Sequence, residues 1–212
     1  MTNKDKEKNI FFITVVVIIA IGYAVLRYHL KGDVPWKDFP IFVLNKGVSL
    51  GAITILTLCV SIRPLSTLGI VVFSTRAAKK LLGISGLLMT ILHVLLSLLI
   101  LNPSYFNVFF EENGTLSARG GISLLAGVIS FMMLVVYHQC FKNGGVGKER
   151  LVNFLTSSKF ILGLLLLFGL HLFFLGYHNW MNFANWKGGL PPITLVSFVV
   201  ISLGVLINVF KR

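Results

Sequence analysis

The sequence predicts an all-α membrane protein: a polytopic helical bundle with six transmembrane helices and both termini on the inner side. Only 12% of the 212 residues are charged and the mean hydropathy is +0.87, whereas soluble domains carry roughly 25% charged residues. Six apolar runs approach the ~20 residues that cross a bilayer. Lipid offers the backbone no hydrogen-bond partners, so runs of this length must form helices.

The apolar runs divide the chain into a polar tail, 1–9, and one transmembrane domain, 10–212. The first run is longer than the core of a signal peptide and lacks a small-residue cleavage site, so it is interpreted as a retained span. No room is left for a soluble catalytic domain. The predicted spans are 10–26, 41–62, 81–101, 120–141, 160–177 and 190–210.

The basic residues predict the orientation. The net charge of +12 does not indicate nucleic-acid binding, because Lys and Arg cluster at span ends, as they do in cytoplasmic loops. With the N-terminus inside, thirteen basic residues fall in inner segments and five in outer ones, while Lys46 is near the start of a span, from which it can snorkel to the interface. The inner ones are Lys4, Lys6, Lys8, Arg63, Arg76, Lys79, Lys80, Lys142, Lys148, Arg150, Lys159, Lys211 and Arg212, and the outer ones are Arg27, Lys31, Lys37, Arg119 and Lys187.

Two histidines are predicted at nearly equal depth in the membrane. His93 is thirteen residues past Lys80, and His171 is twelve residues past Lys159. At about 1.5 Å rise per residue, these positions are roughly 20 Å and 18 Å from the inner boundary, in the outer half of the bilayer. An ionisable residue inside a span is a functional candidate.

Imidazole is a standard axial ligand of haem iron, and ligation would remove the cost of burying both rings. His93 and His171 are therefore predicted to bind one b-type haem, one from each side. The alternative is that the histidines only pack between helices. A cation-coupled transporter usually needs a carboxylate in the membrane, and the predicted spans contain no Asp or Glu.

Two histidines near span ends, His138 and His178, are weaker candidates for binding a cofactor. His138 is four residues before Lys142 and is interpreted as an interfacial residue. His178 is seven residues after His171, two turns further out on nearly the same face. It is a candidate to hydrogen-bond a haem propionate or a quinone, and the alternative is a solvated residue in the aromatic belt.

Residues 74–84, STRAAKKLLGI, followed by Leu92-His93, resemble the third-span signature of the ferric-reductase-like transmembrane domain family. Within that family, the branch of haem-binding membrane subunits of bacterial protein-methionine-sulfoxide reductase systems is similar. Residues 47–64 are similar to its second span, which ends in Pro, and residues 147–150 are similar to its fourth loop. The resemblance covers roughly residues 41–180.

The resemblance implies a b-haem cytochrome of the bacterial inner (plasma) membrane, an electron-transfer subunit of an oxidoreductase rather than a complete enzyme. His93 and His171 match the family's ligand positions, whereas Ser158 stands where the family usually has a further histidine. The implied donor is a quinol or a reduced flavoprotein, so quinone and flavin are further candidate cofactors. The implied acceptor is a redox protein on the outer side. A degenerate, non-haem structural or assembly subunit and a small-molecule transporter are the alternatives.

Overall fold

The computed structural model describes residues 3–69, 76–142 and 149–210 and confirms the all-α fold class. Six of its helices are long and apolar enough to cross a membrane, which makes the chain a multi-pass membrane protein. Its α-helices are α1 (Asn3–Ala24), α2 (Leu44–Thr67), α3 (Arg76–Leu99), α4 (Ala118–Lys142), α5 (Glu149–Leu155), α6 (Ser158–Trp180) and α7 (Ile193–Phe210).

Each predicted span overlaps one long helix. α1 begins at Asn3, so residues 3–9 of the predicted polar tail form its first turns, and it continues as a π-helical segment, Val25–Leu30. The short helix α5 lies in a connection for which the sequence predicts no helix. Residues 70–75 of the predicted basic loop, like residues 143–148, lie outside the described part of the chain.

The central helix of the bundle is α2. In its most apolar stretch 61% of the residues are buried, against 17–33% in the other five spans. It packs against α1, α3 and α7. Glycines allow these close approaches, since a Cβ at Gly47 would lie 2.8 Å from Ile21 Cα and one at Gly51 would lie 2.6 Å from Met89 Cε.

The outer helices present large apolar side chains away from the bundle. On α3, Leu88, Leu92, Leu95 and Leu99 are all exposed and recur every three or four residues. This spacing produces one continuous stripe along a helix. In a membrane such a stripe faces lipid acyl chains, so these leucines need no protein partner.

The connections α1–α2, α3–α4 and α6–α7 meet at one end of the bundle, here named the connection end. Lys187 Nζ lies 2.6 Å from Asp33 Oδ2, which joins the α6–α7 and α1–α2 connections. The Tyr105 hydroxyl donates to Asp38 Oδ1 at 2.6 Å, which joins the α3–α4 and α1–α2 connections. These contacts hold the connections over the space between the helices.

Candidate functional site

A cavity of about 210 Å³ lies in the half of the bundle nearest the connection end. Helices α2, α3, α4, α6 and α7 all contribute to its wall, and the α3–α4 connection covers it with Phe106 and Phe109. Most lining side chains are apolar. The polar ones are Asn45, Lys46, Ser49, Thr90, His93, Ser97, Ser130, His171, Thr194 and Ser197.

His93 enters the cavity from α3 and is oriented by α2. Its Nδ1 lies 2.6 Å from Asn45 Oδ1, and the Asn45 amide nitrogen donates to Ser97 Oγ at 3.0 Å. Asn45 is only 1% exposed, and its bond to Ser97 directs the amide oxygen at the imidazole. An amide oxygen only accepts hydrogen bonds, so Nδ1 carries the proton and Nε2 keeps its lone pair.

His171 enters the cavity from α6 and is oriented by α4. Its Nδ1 donates to the backbone oxygen of Ser123 at 2.8 Å, while the Ser123 hydroxyl donates to the backbone oxygen of His171 at 2.9 Å. A carbonyl oxygen also fixes the tautomer, again leaving Nε2 unprotonated. The ring packs directly over the backbone of Gly127, where a Cβ would lie 3.0 Å from Nδ1.

The structure therefore brings His93 and His171 together around one cavity. Their helices pack mainly on other helices, α3 on α2 and α6 on α4 and α7, so the cavity separates them. Among the described residues neither Nε2 has a hydrogen-bond partner. Each ring thus offers the cavity a nitrogen lone pair of the kind that binds a transition metal.

Three further residues of this site are absent from the sequence-based prediction. Asn45 and Ser123 orient the rings, and Lys46 is the lysine in the cavity wall. The sequence contains one signal for two of them, because an adjacent Asn-Lys pair within an apolar span is unusual and polar residues in spans mark functional positions. Ser123 carries no such signal, since serine is common where membrane helices pack together.

The remaining predicted positions lie elsewhere. His178 is exposed in the last turn of α6, with its ring 4.0 Å from that of Tyr177, and it does not line the cavity. His138 is half-buried on α4 and also lies outside the cavity wall. Ser158 is the first residue of α6, at the end of that helix far from the cavity. The role of His178 at a propionate or a quinone stays a prediction.

The donor set restricts what the site can hold. Within residues 3–69, 76–142 and 149–210 no three His, Cys, Asp or Glu side chains converge on a point that could hold a metal ion. Structural and catalytic zinc sites take three or four protein ligands. Two imidazoles are too few for such a site, so a metal held between His93 and His171 would need further ligands from a cofactor.

In comparisons with known proteins, no family model matches this sequence, and no curated protein matches it.

Proposed function

We propose that this protein is a b-type haem membrane cytochrome that passes electrons from a quinol or a reduced flavoprotein to a partner on the outer side of the membrane. One observation carries the proposal. His93 and His171, from two helices that the cavity separates, line that cavity with Nδ1 held by protein oxygen atoms and Nε2 left with its lone pair.

The residues present fit a haem. His93 and His171 would hold the iron, and Asn45 Oδ1 and the Ser123 carbonyl would keep each ring in the ligating tautomer. When bound, the haem supplies one-electron redox chemistry at a potential set by its ligands and surroundings. Phe131 and most other side chains of the wall are apolar, so they would keep the surroundings of a bound haem low in dielectric.

The direction of transfer follows from the proposed orientation. With both termini inside, the connection end faces outward and the cavity lies in the outer half of the membrane. The basic inner segments would attract an acidic or phosphate-bearing electron donor. The chain would then serve as the electron-transfer subunit of an oxidoreductase in the bacterial inner membrane, as its resemblance to the ferric-reductase-like family also implies.

The test is an absorption spectrum of membranes that contain the overproduced protein. We expect a Soret band and b-type peaks in the dithionite-reduced-minus-oxidised spectrum, and their loss in His93→Ala and in His171→Ala. His138→Ala is the matched control, because it removes a half-buried span histidine outside the cavity wall, and it should keep the spectrum. An unmodified protein without b-type peaks, or peaks that survive both ligand substitutions, would refute the proposal.

A structural or assembly subunit is the second candidate. The bond between His93 and Asn45 joins α3 to α2, and the bond between His171 and Ser123 joins α6 to α4, which is what packing histidines would do. If packing is their only role, supplying haem during expression should leave the unfolding temperatures of both the parent and His93→Gln unchanged. Haem-dependent stabilisation of the parent alone would exclude this candidate.

A further inference from the structure

Lys46 is a lysine in the wall of the cavity, in the first turn of α2 beside Asn45. Its Nζ lies 5.2 Å from the ring centroid of Phe42 and 4.8 Å from that of Phe106. Within the described part of the chain, no carboxylate lies within ion-pair distance of Nζ and no hydrogen bond is made by it. The ammonium therefore has two aromatic faces and the cavity as its surroundings.

Aromatic faces compensate only part of the cost of removing an ammonium from water. A lysine near the end of a span usually avoids this cost by extending to the interface. Here Phe106, from the α3–α4 connection, lies over Nζ on that side. A half-buried cation in a cavity wall, without a counter-ion, indicates that an anionic group shares its site when that site is filled.

The position of Lys46 relates it to the two histidines. Lys46 follows Asn45, whose Oδ1 holds His93, and it lines the same cavity as His93 and His171. A ligand that occupies the space between the rings would therefore also reach the lysine. The ring nitrogens can bind a metal, and the ammonium can bind an anion.

We propose that Lys46 binds a carboxylate of the haem, an inference that rests on the proposed function. Haem b carries two propionate groups on one edge of its porphyrin, and the ring nitrogens of His93 and His171 provide no partner for them. An ion pair with Lys46 would hold that edge at the connection end, near Phe42 and Phe106. The positive charge would also favour the reduced state, because the added electron is a negative charge close to the ammonium.

The experiment compares hemin with hemin dimethyl ester, whose carboxylates are blocked, as ligands of haem-free protein in detergent. We expect Lys46→Met to weaken hemin binding about tenfold or more, as for the loss of one charged hydrogen bond. The ester should bind Lys46→Met and the parent equally, and Lys46→Arg should restore hemin binding. Reductive titration should give a lower midpoint potential for hemin in Lys46→Met than in the parent.

The controls separate this inference from a loss of folding and from the proposed function. Lys37→Met removes an exposed lysine at the same end of the bundle and should change neither affinity. Lys46→Gln repeats the test with a polar side chain if the methionine variant does not fold. If Lys46 binds a lipid phosphate and not the haem carboxylate, Lys46→Met should weaken the binding of hemin and of its dimethyl ester equally. That result, or no weakening at all, overturns the role of Lys46. Failure of the parent to bind either ligand overturns the proposed function together with it.

Discussion

Replacing Gly127 with alanine tests whether the orientation of the His171 ring depends on the close approach of α4. The added Cβ would lie 3.0 Å from Nδ1, 3.3 Å from Cε1 and 3.5 Å from Cγ of that ring, so the ring must move by a few tenths of an ångström. Ser123, one turn before Gly127, holds the same Nδ1 at 2.8 Å. The His171 ring therefore cannot move along α4 to avoid the added Cβ without losing its hydrogen bond to Ser123.

The magnitude follows from two opposed effects. Alanine in a helix interior is more stable than glycine by about 1 kcal/mol, whereas overpacking a tight contact costs about 1–3 kcal/mol. The matched control is Gly163→Ala on α6, where an added Cβ has no atom within 4 Å. Only the gain in helix stability acts at Gly163. The free energy of unfolding of Gly163→Ala should therefore exceed that of Gly127→Ala by about 1–3 kcal/mol.

Two measurements decide the outcome. Thermal unfolding in detergent should rank Gly163→Ala above Gly127→Ala. With haem bound as proposed, the b-type difference spectrum should also weaken in Gly127→Ala alone, because a displaced imidazole would bind iron less well. If the two variants unfold at the same temperature and give the same spectrum, the contact between α4 and the His171 ring does not position that ring.

Two further predictions concern the hydrogen bonds around the site. Asn45→Ala should lower the free energy of unfolding by about 1–3 kcal/mol, because the half-buried His93 loses the acceptor of its Nδ1 proton. Urea or thermal unfolding checks this, and the control Asn185→Ala, at an exposed position, should stay within about 0.5 kcal/mol of the parent. At the connection end, the hydrogen bond and charge of Lys187 lower the pKa of the Asp33 carboxyl. Because this pKa is lower in the folded state, the ionised Asp33 stabilises the fold at pH values above its unfolded-state pKa of about 3.9. The stabilisation is lost as the pH falls through the folded-state pKa. Asp33→Asn should therefore abolish a small acid-dependent fall in melting temperature, which high salt should also reduce; an identical pH profile in both proteins would show that the pair contributes nothing.

The sequence predicts the fold well because hydropathy alone determines which segments enter a membrane. Each of the six apolar runs overlaps one long helix. The same signal fails outside the bilayer, where α1 begins at Asn3 among polar residues that hydropathy assigns to a tail. It also misses α5, whose seven residues are too few to show a period and whose contacts are with α4 and α6.

Depth in the membrane is the sequence signal that points to His93 and His171. His93 and His171 are each about the same number of residues from a basic residue at the start of their spans, and this places them at one level. Depth also explains why His178 lies outside the cavity: it shares a face with His171 but lies two turns further along α6, at its exposed end. Which face of a helix looks inward is set by packing. The inward position of Ser123 therefore has no signature in the sequence of α4, whereas Asn45 is marked only by the unusual Asn-Lys pair in α2.

The two ring-orienting bonds reveal how the cavity is assembled. Asn45 and His93 are 48 residues apart, and so are Ser123 and His171. Each bond lies inside a pair of helices that pack closely, α2 with α3 and α4 with α6, so each pair orients its own imidazole. The two pairs are joined mainly by α7, which packs against both α2 and α6, whereas α3 has little contact with α4. The spacing of the rings thus depends on the packing of α7, including Ile201 in the core, so substitutions far from either histidine should alter how the site holds a ligand.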